Sequence, residues 1–255
     1  MDVISAIRNY KNVHGFGGFA PKAVLFDMDG VLYNSMPFHA KAWHNSMAQY
    51  GIEMSEADAY EYEGKRGVET ICDFARKQGK EHLVEIADEI YDFKSSLFAS
   101  YVENEPQKKP QKMEGVESLM RQMKEDGMKI CVVTGSGQHS LLDRLEEDFP
   151  GLLHRDLMVT CFDVKIGKPD PCPYLKGLEK CGVQPWEAIV VENAPLGVTS
   201  AVAAKIFTIA VNTGPLDDKR LADVGASLVY KKMDDFHSDW KQLLLAAKED
   251  MPPTP

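Results

Sequence analysis

Short apolar runs rich in β-branched residues alternate along most of the chain with stretches of helical periodicity. The runs are AVLFD at 23–27, KICVVT at 129–134, LMVT at 157–160, AIVVE at 188–192, FTIAVN at 207–212 and SLVYK at 227–231. Each is apolar almost throughout instead of alternating. A strand reads that way when helices cover both faces of a parallel sheet. Between them, residues 116–126, 140–147, 173–181, 197–204 and 236–247 carry helical spacing. Strand–helix repetition with short connections predicts an α/β protein with a Rossmann-like, doubly wound parallel sheet.

One interval breaks the alternation. From Met36 to Tyr101 there is helical periodicity and no convincing strand, in the stretches 38–51, 55–79 and 80–101. That is far longer than an ordinary crossover, and the simplest account is an all-helical cap inserted after the first strand. The expected organisation is a core from residues 22–35 and 106–250, a helical cap over 36–105, an N-terminal extension over 1–21 and a tail at 251–255. The extension contains HGFGG and reads as flexible. A hinged lid over a site is the natural use of such an insertion, with a rigid structural addition as the plainer alternative.

The chain of 255 residues has 29 Lys and Arg against 39 Asp and Glu, a formal charge of −10. So acidic a surface is a poor counterion for a phosphate backbone, which argues against nucleic acid as a partner but not against a small anion in a local pocket. No apolar run approaches a bilayer span, and Asp2, Arg8 and Lys11 interrupt any signal-peptide core, so no membrane partner and a cytoplasmic location are expected. The five cysteines form no CxxC pair and read as reduced thiols. A monomer is the default expectation.

Candidate chemistry lies where the strands end, since ligands of open α/β sheets bind beyond the carboxyl ends of the strands. The first run leads into FDMDG, with Asp27 and Asp29 two apart on a turn. The second leads into VTGSG, with Thr134 and Ser136 among exposed amides. A loop after the third holds GKPD with Lys168, and the fourth ends in VVENAPLG with Glu192 and Asn193. Asp27, Glu192 and Asn193 offer oxygens to a hard cation such as Mg²⁺. A carboxylate nucleophile splits a displacement into two steps, a second carboxyl can act as acid and base, and Thr134, loop amides and Lys168 suit the charge on a phosphoryl group. Each piece alone has an ordinary reading as a turn, a glycine-rich loop, a solvated lysine or a helix cap. Their joint order at four strand ends points to phosphoryl transfer.

In that order the motifs resemble those of the haloacid dehalogenase superfamily, in the branch that holds β-phosphoglucomutase and many small-molecule phosphatases. The likeness runs from about Ala23 to Trp240. It implies Mg²⁺-dependent transfer through an aspartyl phosphate on Asp27, with Asp29 as general acid and base whose backbone carbonyl also ligates the metal. It further implies phosphoryl binding by Thr134, assisted by Ser136 and the adjacent amides around Gly135, charge neutralisation by Lys168, and a metal site of Asp27, Asp29, Glu192 and Asn193. Position 193 is commonly Asp in this family, so Asn193 implies weaker metal binding. The presence of Asp29 argues for phosphate chemistry over carbon–halogen or carbon–phosphorus cleavage.

The cap segment EGKRGVET is mixed. Where the mutase carries a lysine this chain has Glu63, and where it carries a phosphate-gripping arginine this chain has Gly67, with Arg66 one position away. Thr70 stands for a serine, while His39 and Lys94 match the mutase. A carboxylate in place of a cation disfavours a second phosphate, and Glu63 could reach the metal when the lid closes. Relatives with this acidic segment resemble an inorganic pyrophosphatase. The leading expectation is therefore a phosphohydrolase acting on pyrophosphate or a small sugar phosphate. The alternatives are a β-phosphoglucomutase-type isomerase and a non-catalytic phosphate-binding module.

Overall fold

A computed structural model describes residues 2–106, 109–137 and 142–249. Six parallel strands form one sheet: β1 (Ala23–Phe26), β2 (Lys129–Val133), β3 (Met158–Val159), β4 (Ala188–Glu192), β5 (Phe207–Val211) and β6 (Leu228–Tyr230). Their order is β3-β2-β1-β4-β5-β6, so β1 lies in the interior and the order reverses beside it. All six expected strands are present. Their near-continuous apolarity follows from burial on both faces. Val24, Phe26, Ile130, Val132, Ile189 and Val191 face one core, and Leu25, Cys131, Val133, Ala188 and Val190 face the other.

Helices α1 (Val3–His14), α6 (Val116–Glu125) and α11 (Met233–Glu249) belong to the first layer, and α8 (Cys172–Cys181) to the second; α7 (Leu145–Asp148), α9 (Pro195–Ala203) and α10 (Asp218–Asp223) complete the core. The helix expected at 140–147 is seen over its last part, in α7; Ser140 and Leu141 lie outside the described residues. The tail at 251–255 also lies outside them. No helix among the described residues is long and apolar enough to cross a membrane.

The N-terminal segment departs from the expectation of flexibility. Asp2 caps α1 by accepting from the Ser5 amide at 2.9 Å, and Gly15 ends it at φ 68°. Val3, Ala6, Ile7 and Tyr10 recur at helical spacing and are buried, so the helix is held by its apolar face. The Tyr10 hydroxyl donates to the Lys205 carbonyl at 2.9 Å, tying α1 to the edge of the sheet opposite the strand ends that carry the motifs.

Between β1 and β2 the chain forms α2 (Met36–Gln49), α3 (Glu56–Glu61), α4 (Gly67–Lys77), a 3₁₀ turn (Glu81–Ile86) and α5 (Ala87–Glu103). These share their own apolar cluster, including Met47, Ile52, Ile71, Phe74 and Ile90. The stretch expected as one helical run at 55–79 is broken at Tyr62–Arg66, where Gly64 adopts φ +82°. The two strands of chain joining this segment to the core run side by side: the Asn34 amide donates to Gln111 O and the Met113 amide to Leu32 O, each at 2.8 Å.

Ile7 is wholly packed beneath the sheet edge. Ile7→Ala is expected to cost about 3 kcal/mol of folding stability, read by urea denaturation, while the folded fraction keeps its activity.

Candidate active site

The sheet register brings the motif residues together. Phe26 of β1 pairs with Val191 of β4, so the next residues, Asp27 and Glu192, leave neighbouring strands at the same level. Lys168, from the loop before α8, fills the space between them: its Nζ donates to Asp27 Oδ1 and to Glu192 Oε1, both at 2.6 Å. All three side chains are buried. Glu192 is held on every side. Its Oε1 also accepts from the Tyr174 hydroxyl at 2.7 Å, and Oε2 from the amides of Asn193 (3.0 Å) and Ala194 (3.3 Å). Gly197 leaves the room it needs, since a Cβ there would lie 1.8 Å from Glu192 Oε1.

Asp29 turns toward the helical segment. Its Oδ1 accepts from the Ser35 hydroxyl at 2.6 Å and lies 3.1 Å from His39 Nε2. His39 Nδ1 in turn lies 2.7 Å from Lys94 Nζ. The His39 ring stacks on Phe98 at 4.2 Å, and the Lys94 ammonium sits over the rings of Trp43 and Phe98. Burial opposes the ionisation of Asp29, yet the charge and hydrogen bond of His39, with Ser35 and Lys94, hold its carboxyl below the usual range. Burial pushes Lys94 down to about 7. It also lowers His39, with help from the Lys94 charge.

The broken turn Tyr62–Arg66 closes the site from above. Glu63 Oε2 accepts from Asn193 Nδ2 at 3.0 Å, and Gly64 packs so closely that a Cβ on Gly135 would meet its carbonyl oxygen at 2.3 Å. Thr134 is buried at the end of β2, and the Ser136 amide donates to its hydroxyl at 3.0 Å. Asp27, Asp29, Glu63, Thr134 and Tyr91 are among the residues that line the pocket beneath this turn. Arg66 is not brought into it: its guanidinium donates to the Lys165 carbonyl at 2.7 Å, outside the pocket. The other candidate residues, Gly135, Ser136, His39 and Lys94, do line it.

The electrostatics favour a cation. Four buried carboxylates, Asp27, Asp29, Glu63 and Glu192, crowd around two buried lysines, Lys168 and Lys94. Burial, with the charges of Glu192 and Asp29 against that of Lys168, pushes Asp27 up to about 7. Burial and the same carboxylates raise Glu63 well above the usual range. Lys168 is raised: burial opposes its charge, but Asp27 and Glu192 outweigh it. Among the described residues no three Asp, Glu, His or Cys side chains are arranged to hold a metal by themselves. Two buried oxygens, Glu63 Oε1 and Asn193 Oδ1, nevertheless lack a hydrogen-bond partner. Mg²⁺ takes few carboxylates and fills its shell with amide and carbonyl oxygens and water, so two orphaned oxygens in an excess of negative charge fit it.

Four features here escaped the sequence. Tyr174 reaches Glu192 from α8, and Tyr91 fills the space above Gly67, where a Cβ would meet its ring at 2.0 Å. Thr213 donates to the Gly30 carbonyl at 2.6 Å and so steadies the FDMDG turn. Arg220 of α10 grips Glu61 of α3 through Nε and Nη2, at 2.9–3.2 Å. Only the spacing of KPDPCPY, which sets Tyr174 on the first turns of α8, gave any signal for these.

The fold and this pocket define a doubly wound α/β enzyme with an acidic site at the carboxyl ends of its strands, covered by a helical insertion. A family model for haloacid dehalogenase-like hydrolases matches residues 24–211, and the chain belongs to that family. It is similar to Hexitol phosphatase A of Escherichia coli (strain K12), with 32% identity over 80% of this chain and 88% of that protein. It is similar also to the Phosphorylated carbohydrates phosphatase of Thermotoga maritima, with 29% identity over 82% of this chain and 94% of that one. Among solved structures, the "Putative beta-phosphoglucomutase from Bacteroides vulgatus" superposes with TM-score 0.90 and 47% identity, covering 96% of this chain and 98% of that one.

The Arg220–Glu61 pair is half-exposed, so Arg220→Ala is expected to change stability by less than about 1 kcal/mol. Its effect should instead appear as a looser helical segment, measured as a larger radius of gyration by small-angle scattering and faster proteolysis at Tyr62–Arg66.

Proposed function

We propose that the protein is a Mg²⁺-dependent phosphohydrolase acting on inorganic pyrophosphate. The observation that carries this reading is the lining of the pocket, where a tyrosine ring and a carboxylate stand in the places that would have to hold a second, sugar-borne phosphate. Tyr91 occupies the space over Gly67, and Glu63 faces Asn193. The helical segment acts as a cap over residues 36–105. A mutase must retain a second phosphate beside the sugar. Here the position that would grip it is Gly67 beneath a tyrosine ring, and Arg66 is turned away onto Lys165.

In this reading Asp27 is the nucleophile. Its carboxylate oxygen bonds to phosphorus as the bridging P–O bond breaks and orthophosphate leaves, with Asp29 passing on a proton that it must first gain, since His39, Ser35 and Lys94 hold it ionised in the structure. Asp29 then takes a proton from water, whose oxygen attacks the aspartyl phosphate, releases the second phosphate and restores Asp27. Thr134 and the amides of Gly135 and Ser136 hold the transferring oxygens, and Lys168 holds Asp27 in place and offsets its charge. His39 and Lys94 orient Asp29, which keeps its acid–base group aimed into the pocket. Asp27, Asp29 through its carbonyl and Asn193 would hold Mg²⁺, with Glu63 beside Asn193. Glu192, expected as a fourth ligand, has its acceptor directions filled and instead fixes the loop that carries Asn193. Bound there, Mg²⁺ would supply positive charge to offset the negative charge of the nucleophile and the phosphoryl group.

A second reading, a small sugar-phosphate phosphatase, is favoured by the similarity to Hexitol phosphatase A. Assays of free phosphate with Mg²⁺ separate the two. With pyrophosphate, kcat/KM is expected to exceed that with hexitol or hexose phosphates by at least about 10²-fold. β-Glucose 1-phosphate should give no glucose 6-phosphate. A preference for the sugar phosphates would overturn the pyrophosphate reading. Asp27→Asn should lower kcat by about 10³-fold or more, and chelation of the metal should stop turnover until Mg²⁺ is restored.

A further inference from the structure

Tyr174 is buried in a place where packing alone asks for a phenylalanine. It lies in the apolar layer with Leu25, Val133 and Leu178. Helix α8 comes close to the sheet one turn later, at Gly177, where a Cβ would meet Leu25 Cδ2 at 2.7 Å and Val133 Cγ2 at 3.0 Å. That approach carries the phenol along the sheet face to the carboxyl end of β4. A buried hydroxyl is costly unless it is hydrogen-bonded, and this one donates to Glu192 Oε1 at 2.7 Å. The same oxygen accepts from Lys168 Nζ, whose ammonium stands 5.0 Å from the centre of the Tyr174 ring.

We propose that Tyr174 is a positioning residue for the site, pinning the Glu192 carboxylate so that Lys168 stays shared between Glu192 and Asp27. The inference rests on the phosphoryl-transfer reading given above. A carboxylate has about four acceptor directions, and four donors use them here: Tyr174, Lys168 and the amides of Asn193 and Ala194. Without the phenol, Oε1 has one direction unfilled and only Lys168 to turn to. The carboxylate rotates toward the ammonium and draws it from Asp27. The loop that carries Asn193 shifts with Oε2, since its amides are bound there. One hydroxyl thus reaches both the nucleophile and the metal loop, while touching neither substrate nor reacting atoms.

Tyr174→Phe keeps the ring and removes only the hydroxyl. Three quantities test it: kcat and KM for phosphate release, the Kd of Mn²⁺ measured by calorimetry without substrate, and both again in a Glu192→Gln background. Expected are a fall in kcat of about tenfold or more, KM within about twofold, Mn²⁺ binding weakened severalfold, and an unfolding midpoint within a few degrees of the parent. In Glu192→Gln the added Tyr174→Phe should change either quantity by less than about twofold, because the partner it acts through is gone. Unchanged kcat and Mn²⁺ binding, or effects that add fully to those of Glu192→Gln, would overturn the proposal. Tyr174→Leu also lacks the hydroxyl and supplies the same comparison if the phenylalanine variant is not recovered folded. The calorimetric arm needs no turnover, so it separates this proposal from the activity reading. If the parent's phosphate release survives Asp27→Asn, that reading fails, while the Mn²⁺ cycle still decides the role of Tyr174.

Discussion

The site depends on a lysine taken entirely out of water. Lys168 is buried between Asp27 and Glu192, at 2.6 Å from each. An ammonium in such a place is tolerable only because two carboxylates meet it at hydrogen-bond distance, and those carboxylates are tolerable only because it is there. The sheet makes the arrangement possible. Parallel pairing of β1 with β4 delivers the two carboxylates side by side, and α8 returns the lysine to the gap. The geometry therefore comes from backbone register, which is hard to deform, and not from flexible side chains finding one another.

Around this centre the charges do not cancel. The core has an amide, Asn193, at a position the family commonly fills with a carboxylate, and the cap carries a carboxylate, Glu63, in the segment that closes over it. The two meet at 3.0 Å, each keeping one buried oxygen without a partner. The negative charge absent from the core is thus carried by the helical segment packed over it. The carboxylate complement of the pocket comes from both parts of the chain, and the Arg220–Glu61 contact anchors the residue that leads into the same turn.

The strands were legible because burial on both faces leaves a continuous apolar signature, and the four motifs because they stand where those strands end. The N-terminal helix was not read, although Asp2 and the spacing of Val3, Ala6, Ile7 and Tyr10 carry its signal. The glycines after it drew the reading toward a loop, yet Gly15 is the residue that ends the helix. The break at Gly64 was hidden in a polar stretch with continuous helical composition. Tyr91, Tyr174, Thr213 and Arg220 act across long separations in the chain. Nothing local marks which distant group such a residue will meet, so the strands of the core could be foreseen while the contacts that trim the pocket could not.

The paired connections between cap and core have a consequence for how this architecture diversifies. The chain leaves the sheet and returns to it through neighbouring strands of backbone bonded to each other, Asn34 to Gln111 and Met113 to Leu32. Everything between those points forms an excursion that leaves and re-enters the core at one seam, and packs against the core through Ala42, Phe98 and Val102. A different excursion sewn to the same seam would leave the register of β1 with β2 and β4 untouched, and with it the buried lysine and its carboxylates. The carboxylate-and-lysine floor and the helical ceiling are separate stretches of chain, joined along a few peptide groups.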